Sequence, residues 1–118
     1  MDGLLCRFIP RNDGEEETNN MIHVIATLTI KPELREQTLA AARVNIAATQ
    51  KEAGCVYYDM YESVTRPGTY VVVEKWENRE ALNAHMNAEH FKVWRKAGAD
   101  GITSRKIEIV MGGKVEVM

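Results

Sequence analysis

Two histidines and a tryptophan carry the most suggestive chemistry in this chain. Trp76, His85 and His90 fall in the run WENREALNAHMNAEHFKVW, with Leu82 between them and Trp94 at its end. Imidazole titrates near pH 6.5 and is suited to accept a proton at neutral pH, while indole makes a flat apolar wall. A pocket between a helix and a sheet, furnished in this way, could hold a small ligand and take its proton. On one continuous helix His85 and His90 stand about 140° apart around the axis, so they do not share a metal ion as an i, i+4 pair does, even with Glu89 adjacent. No metal site is therefore expected, although a break near Asn87–Ala88 is open. The plainer alternative makes Trp76, Trp94 and Phe91 simple core and leaves one histidine to cap backbone groups; composition alone favours it.

Several other chemistries lack their residues. No Gly-x-Gly-x-x-Gly or Walker loop offers a phosphate cradle. No Gly-x-Ser-x-Gly occurs, and Ser63 and Ser104 have no telling neighbours. The two cysteines, Cys6 and Cys55, form no CxxC, so neither a zinc cage nor a disulfide scaffold is expected. Cys55 follows Gly54 and reads as a small buried residue rather than a nucleophile. The formal charge of −2 and pI near 5.9 argue against a nucleic-acid partner. No apolar window approaches the roughly 20 residues of a membrane span. Two thiols suit a reducing cytoplasm.

The elements that would position these residues follow from periodicity. From Ile22 to Ile30 the chain alternates, with Ile22, Val24, Ala26, Leu28 and Ile30 on one face and His23, Ile25, Thr27 and Thr29 on the other. Pro32 suits the first turn of a helix over Glu33–Ala53, whose stripe is Leu39, Ala42, Ile46, Thr49 and Ala53, and Gly54 closes it. Cys55–Ser63 and Tyr70–Glu77 read as strands joined by the turn Thr65–Gly68. Asn78 caps a second helix over Arg79–Ala97, with Leu82, Met86, His90, Val93, Trp94 and Ala97 stacked on one side. Arg105–Met111 alternates as a fourth strand, Gly112–Gly113 turns the chain, and Lys114–Met118 alternates weakly as a terminal strand or arm.

The order β-α-β-β-α-β predicts a ferredoxin-like α+β sandwich, with both helices on one face of a four-stranded antiparallel sheet. The bare second face would carry Ile25, Val71 and Val73, so a homodimer with its two sheets face to face, a dimeric α/β barrel, is expected. His23 could face the pocket, the dimer seam or solvent. The domain is read as residues 21–118. Residues 1–20 differ in character: five acids against two arginines make them an acidic leader, read as disordered and without signal-peptide features.

The stretch from Met21 to Met111 resembles the antibiotic biosynthesis monooxygenase family, especially its quinol-monooxygenase-like members. The resemblance rests on MIHVIATLTIKP, on Glu52-Ala53-Gly54-Cys55 entering the second strand, and on Trp76-Glu77-x(4)-Leu82-x-x-His85-x(4)-His90. It implies a dimeric α/β barrel that oxygenates phenolic or quinol substrates with molecular oxygen and without flavin, haem or metal. In that picture His85 or His90 is the base, and Trp76 with Tyr57, Tyr58 or Tyr61 orients the ring; Leu82, Trp94 and His23 are further candidates for its surroundings. A one-residue slip in register exchanges Tyr58 for Tyr57 and Tyr61.

Departures from the family narrow this. Where antibiotic-tailoring members place an asparagine and a tyrosine beside the tryptophan, this chain has Val72 and Leu82, so only Trp76 carries over. Haem-degrading relatives use a first-strand asparagine, a helix tryptophan and a later histidine; here no asparagine lies between Ile22 and Ile30, and His85 and Arg95 occupy the other places. Two rival readings remain. One is an acid-base isomerase of a small phosphorylated signal, with Lys75, Arg79 and Lys92 as candidate anion contacts. The other is a non-catalytic dimer that holds a small apolar ligand.

Overall fold

The computed structural model describes residues 21–112 and 115–118. The acidic leader lies outside them. Four strands, β1 (Ile22–Ile30), β2 (Cys55–Glu62), β3 (Thr69–Trp76) and β4 (Ile102–Met111), form one antiparallel sheet in the order β2-β3-β1-β4. Helices α1 (Arg35–Thr49), α2 (Arg79–Met86) and α3 (Glu89–Gly98) complete the ferredoxin-like sandwich. Among the described residues no helix is long and apolar enough to cross a membrane.

Alternation builds the core as expected. Ile22, Val24, Ala26, Leu28 and Ile30 are all buried, and β3 sets Trp76, Glu74, Val72 and Tyr70 beside the first four of them. Three features depart from the periodic reading. The first helix opens as a 3-10 turn, Pro32–Leu34, and ends at Thr49; of the expected stripe it buries Ala42 and Thr49, leaves Leu39 and Ile46 half-buried, and buries Thr38 and Asn45 besides. Those last two have close partners: Gly101 presses so close on Thr38 that a Cβ there would lie 2.2 Å from its Oγ1, and Asn45 Nδ2 donates to the Tyr58 hydroxyl. Residues 115–118 form no strand. The helix expected over 79–97 is two helices, and Met86, Val93 and Ala97 are exposed.

Asn87 and Ala88 make that break. The Asn87 N–H and its side-chain amide both donate to the Asn83 carbonyl, at 3.2 and 3.0 Å, closing the last turn of α2. Ala88 is extended (φ −73°, ψ 146°), so α3 starts along a new direction.

The turn between α1 and β2 is fixed at Gly54. Its φ of 84° is left-handed, its carbonyl accepts from the Glu77 N–H at 2.9 Å, and an added Cβ would lie 2.5 Å from the Ala81 Cβ. Gly54→Ala is therefore expected to cost about 1–2 kcal/mol for the backbone angle and about 1–3 kcal/mol for the clash. Gly68 is also left-handed but meets only the Ile30 carbonyl at 3.5 Å, so Gly68→Ala should cost the angle alone. Denaturant midpoints of the two variants check this; equal losses would contradict the Ala81 contact.

Candidate functional site

Three elements converge on one carboxylate. Glu52 lies in the turn after α1, where its N–H donates to the Thr49 carbonyl. His85 is in the last turn of α2 and His90 in the first turn of α3. Both rings reach the same oxygen: His85 Nδ1 lies 2.9 Å, and His90 Nε2 2.5 Å, from Glu52 Oε2. The expectation that these rings diverge assumed a continuous helix. The break at Asn87–Ala88 removes that premise and brings them together.

An ionised Glu52 accepts a hydrogen bond from each ring and so selects its tautomer. His85 then carries its proton on Nδ1 and His90 on Nε2, which leaves lone pairs on His85 Nε2 and His90 Nδ1. The two rings differ in access. The His85 side chain has no exposed surface, whereas a quarter of the His90 side chain is exposed. His85 packs among Phe91, Trp76 and Tyr58, with ring centroids 4.6, 4.8 and 5.3 Å away, and its Nε2 is buried without a hydrogen-bond partner. Burial lowers the His85 pKa, against the raising effect of Glu52.

A second polar layer supports the aromatic rings. The Trp76 indole N–H donates to Glu74 Oε1 at 2.9 Å, and the Tyr58 hydroxyl accepts from Asn45 Nδ2 at 3.1 Å. Burial pushes the Glu74 carboxyl up to about 7, with the Trp76 hydrogen bond opposing it. Burial likewise raises Tyr58 and holds it as a neutral phenol. The Cys55 thiol is pushed up to about 12, mainly by burial, so it is no thiolate at neutral pH.

The sequence candidates thus divide. Trp76, Tyr58, His85 and His90 come together. Leu82 and Trp94 are members of the buried core. Tyr57, Tyr61 and His23 belong to the opposite face of the sheet, in register with Lys75, Val71 and Val110, and do not join this cluster. The expected open pocket is also corrected: Trp76 and His85 are fully buried against each other, so the reachable part of the site is His90 and Glu52. Glu52 and Glu74 were not singled out as site residues from the sequence. Glu74 did leave a signal, because in YVVVEKW it shares the parity of the buried Val72 and Trp76.

Glu74 makes stability depend on pH in a defined direction. Its unfolded carboxyl ionises near 4.5 and the folded one near 7, so this contribution is fully present below 4.5 and is lost as pH rises through 7. The full loss is about 3 kcal/mol. The unfolding free energy of Glu74→Gln relative to the parent is expected to shift by about 2–3 kcal/mol in the variant's favour between about pH 5 and about pH 8. Urea titrations at the two pH values test this, and a constant difference would show Glu74 titrating as it does in water.

The sheet order, the helix pair and a histidine–carboxylate cluster over a buried tryptophan define a small α+β fold of one recognisable class. The profile of the antibiotic biosynthesis monooxygenase family matches residues 21–97, and the chain belongs to that family. The Bacillus subtilis protein named "Putative monooxygenase YcnE" is 31% identical over 90 residues, which is 76% of this chain and 94% of that protein. A Nitrosomonas europaea structure described as "Putative antibiotic biosynthesis monooxygenase" superposes with a TM-score of 0.75 at 27% identity, covering 80% of this chain and 91% of that one. The structure of Rv0793 from Mycobacterium tuberculosis gives a TM-score of 0.73 at 28% identity, covering 79% of this chain and 95% of that one. These names support a monooxygenase-type function.

Proposed function

We propose that the protein is a cofactor-independent monooxygenase that deprotonates a quinol or small phenol at His90 and lets O₂ react with the resulting anion. One observation carries this reading. Glu52 Oε2 accepts from both imidazoles, which leaves the Nδ1 lone pair of the partly exposed His90 unused by that carboxylate. Glu52 is then a positioning residue, because it fixes the His90 tautomer and stabilises the imidazolium that forms. The adjoining rings of His85, Phe91, Trp76 and Tyr58 make a low-dielectric flank that disfavours escape of charged intermediates into water.

The chemistry balances without a further reductant. The quinol hydroxyl gives its proton to His90, and the anion passes one electron to O₂, leaving a semiquinone and superoxide. Their recombination forms a carbon–oxygen bond as a peroxide. Loss of water, with the proton returned by His90, leaves a hydroxylated quinone.

The isomerase reading has less support. Lys75 is on the opposite sheet face, Arg79 bonds Asn83 and Met111, and Lys92 lines a separate groove with Arg95, Lys96 and Arg105. We also place the protein in the cytoplasm as a homodimer. The free Cys55 thiol supports the first. Exposed Ile25, Tyr57, Tyr61 and Val110 on one sheet face, together with Ile107, Ile109 and Met111 along β4, support the second. The decisive test is O₂ uptake by chelator-treated protein given a naphthohydroquinone. Uptake well above the buffer rate, with a hydroxynaphthoquinone product, is expected; a rate equal to buffer overturns the reading.

A further inference from the structure

We propose that Glu52, His85 and His90 form a binding site for a divalent transition-metal ion, best matched by Zn²⁺, and that loading it silences the proton acceptor. The second half rests on the catalytic reading above; the first does not. Each residue offers one donor atom, and the three donors lie within 4.8 Å of one another. Two imidazoles and a carboxylate favour zinc and its neighbours in the first transition row over Mg²⁺ or Ca²⁺, which prefer all-oxygen shells.

The geometry needs one adjustment, and the partly exposed members can make it. Tetrahedral Zn²⁺, with bonds of about 2.0–2.1 Å, sets its donors about 3.3 Å apart. Glu52 Oε2 already stands 2.9 and 2.5 Å from the two nitrogens. The widest spacing among the three donors, up to 4.8 Å, exceeds the tetrahedral one, so an ion asks the partly exposed His90 ring to close in by about 1.5 Å while the carboxylate withdraws. Glu52 and His90 are the partly exposed members and can yield, while His85 is held by rings on several sides and is the fixed point. Three protein ligands leave a fourth position for water or an anion.

Loading changes where protons sit rather than how many there are. In the metal-free cluster the nitrogens facing Glu52 carry hydrogen. A metal takes those same nitrogens through their lone pairs, so each neutral ring must move its proton to the far side. His90 Nδ1, the acceptor assigned above, becomes an N–H donor. The ion therefore competes with catalysis without entering the aromatic cage.

The test uses the full-length, tag-free chain after removal of metal by chelation. Zn²⁺ titrated in competition with a chromophoric chelator is expected to bind one per chain with micromolar or tighter affinity. Co²⁺ is expected to give the visible bands of a tetrahedral nitrogen–oxygen site. His90→Ala, checked for folding by circular dichroism, should weaken Zn²⁺ by more than the about 10–100-fold typical of losing an outer-sphere partner. Glu52→Gln should do the same. Absence of stoichiometric binding, or binding unchanged in both variants, overturns the site. Oxygen uptake lost on zinc loading and restored by chelator supports the silencing, whereas full activity with zinc bound overturns that half alone. Should the metal-free protein consume no O₂ with any quinol, the catalytic reading falls while the zinc isotherm still decides the site.

Discussion

His90→Ala is expected to lower the rate of quinol-dependent O₂ uptake by about 10²–10⁴-fold, the range contributed by a positioned general base. Its fold should survive, because His90 is partly exposed and closes no apolar contact in the buried core. Glu52→Gln sharpens the assignment. A carboxamide oxygen in the place of Oε2 can still accept from both imidazole N–H groups, but it carries no charge to stabilise the imidazolium that forms on His90. Uptake is therefore expected to fall by about 10²-fold or more. His85→Phe separates the two histidines. It keeps a ring in the cage and removes both nitrogens, so His90 should remain active. Parent-level uptake in His90→Ala would refute His90 as the base, and a loss confined to His85→Phe would transfer the role to the buried ring.

The fold was legible because its signals are local. Strict alternation in Ile22–Ile30 reproduces the burial of that strand residue by residue, and Gly54, Gly68 and Asn78 act as the stop, turn and cap that their chemistry dictates. The site was legible only in part. Trp76, His85 and His90 stand out by type, but their partner Glu52 is distant in sequence and nothing in its own neighbourhood reveals the contact. The His85–His90 relation depended on whether a short segment, Asn87–Ala88, broke a helix, and the extended backbone of Ala88 breaks it there. Tyr58 and Tyr57 could be told apart only by register. An irregularity between Cys55 and Tyr57 shifts the pairing by one residue, which turns Tyr58 inward beside Glu74 and Tyr57 outward beside Lys75. The second face of the sheet is rich in apolar side chains, as alternation in β1 and β3 implies, and β4 adds apolar exposure on the other face: Ile107, Ile109 and Met111 share the parity of Ala26, Val24 and Ile22 yet are exposed.

Trp76→Ala carries the largest expected effect on stability. The indole has no exposed surface and touches both Tyr58 and His85, so its removal should cost about 3–5 kcal/mol in lost burial and cavity formation. It also strips Glu74 of its hydrogen-bond donor in the core, worth a further 1–3 kcal/mol or so where the acid is left unpaired. For a domain of this size about 1 kcal/mol corresponds to about 4–8 °C, so Tm should fall by at least about 12 °C, or the variant should fail to fold. Trp76→Phe divides the two contributions. It retains much of the ring volume and removes the N–H, and without that donor the folded Glu74 holds its proton to still higher pH. The penalty for Trp76→Phe should therefore be small in mild acid, where Glu74 is neutral in both proteins, and grow as pH rises past 7. Scanning calorimetry on either side of neutrality reads this directly. A Trp76→Ala variant melting within a few degrees of the parent would mean that the indole is not a pillar of the core, and a pH-independent Trp76→Phe penalty would mean that its bond to Glu74 does not set the ionisation of that acid.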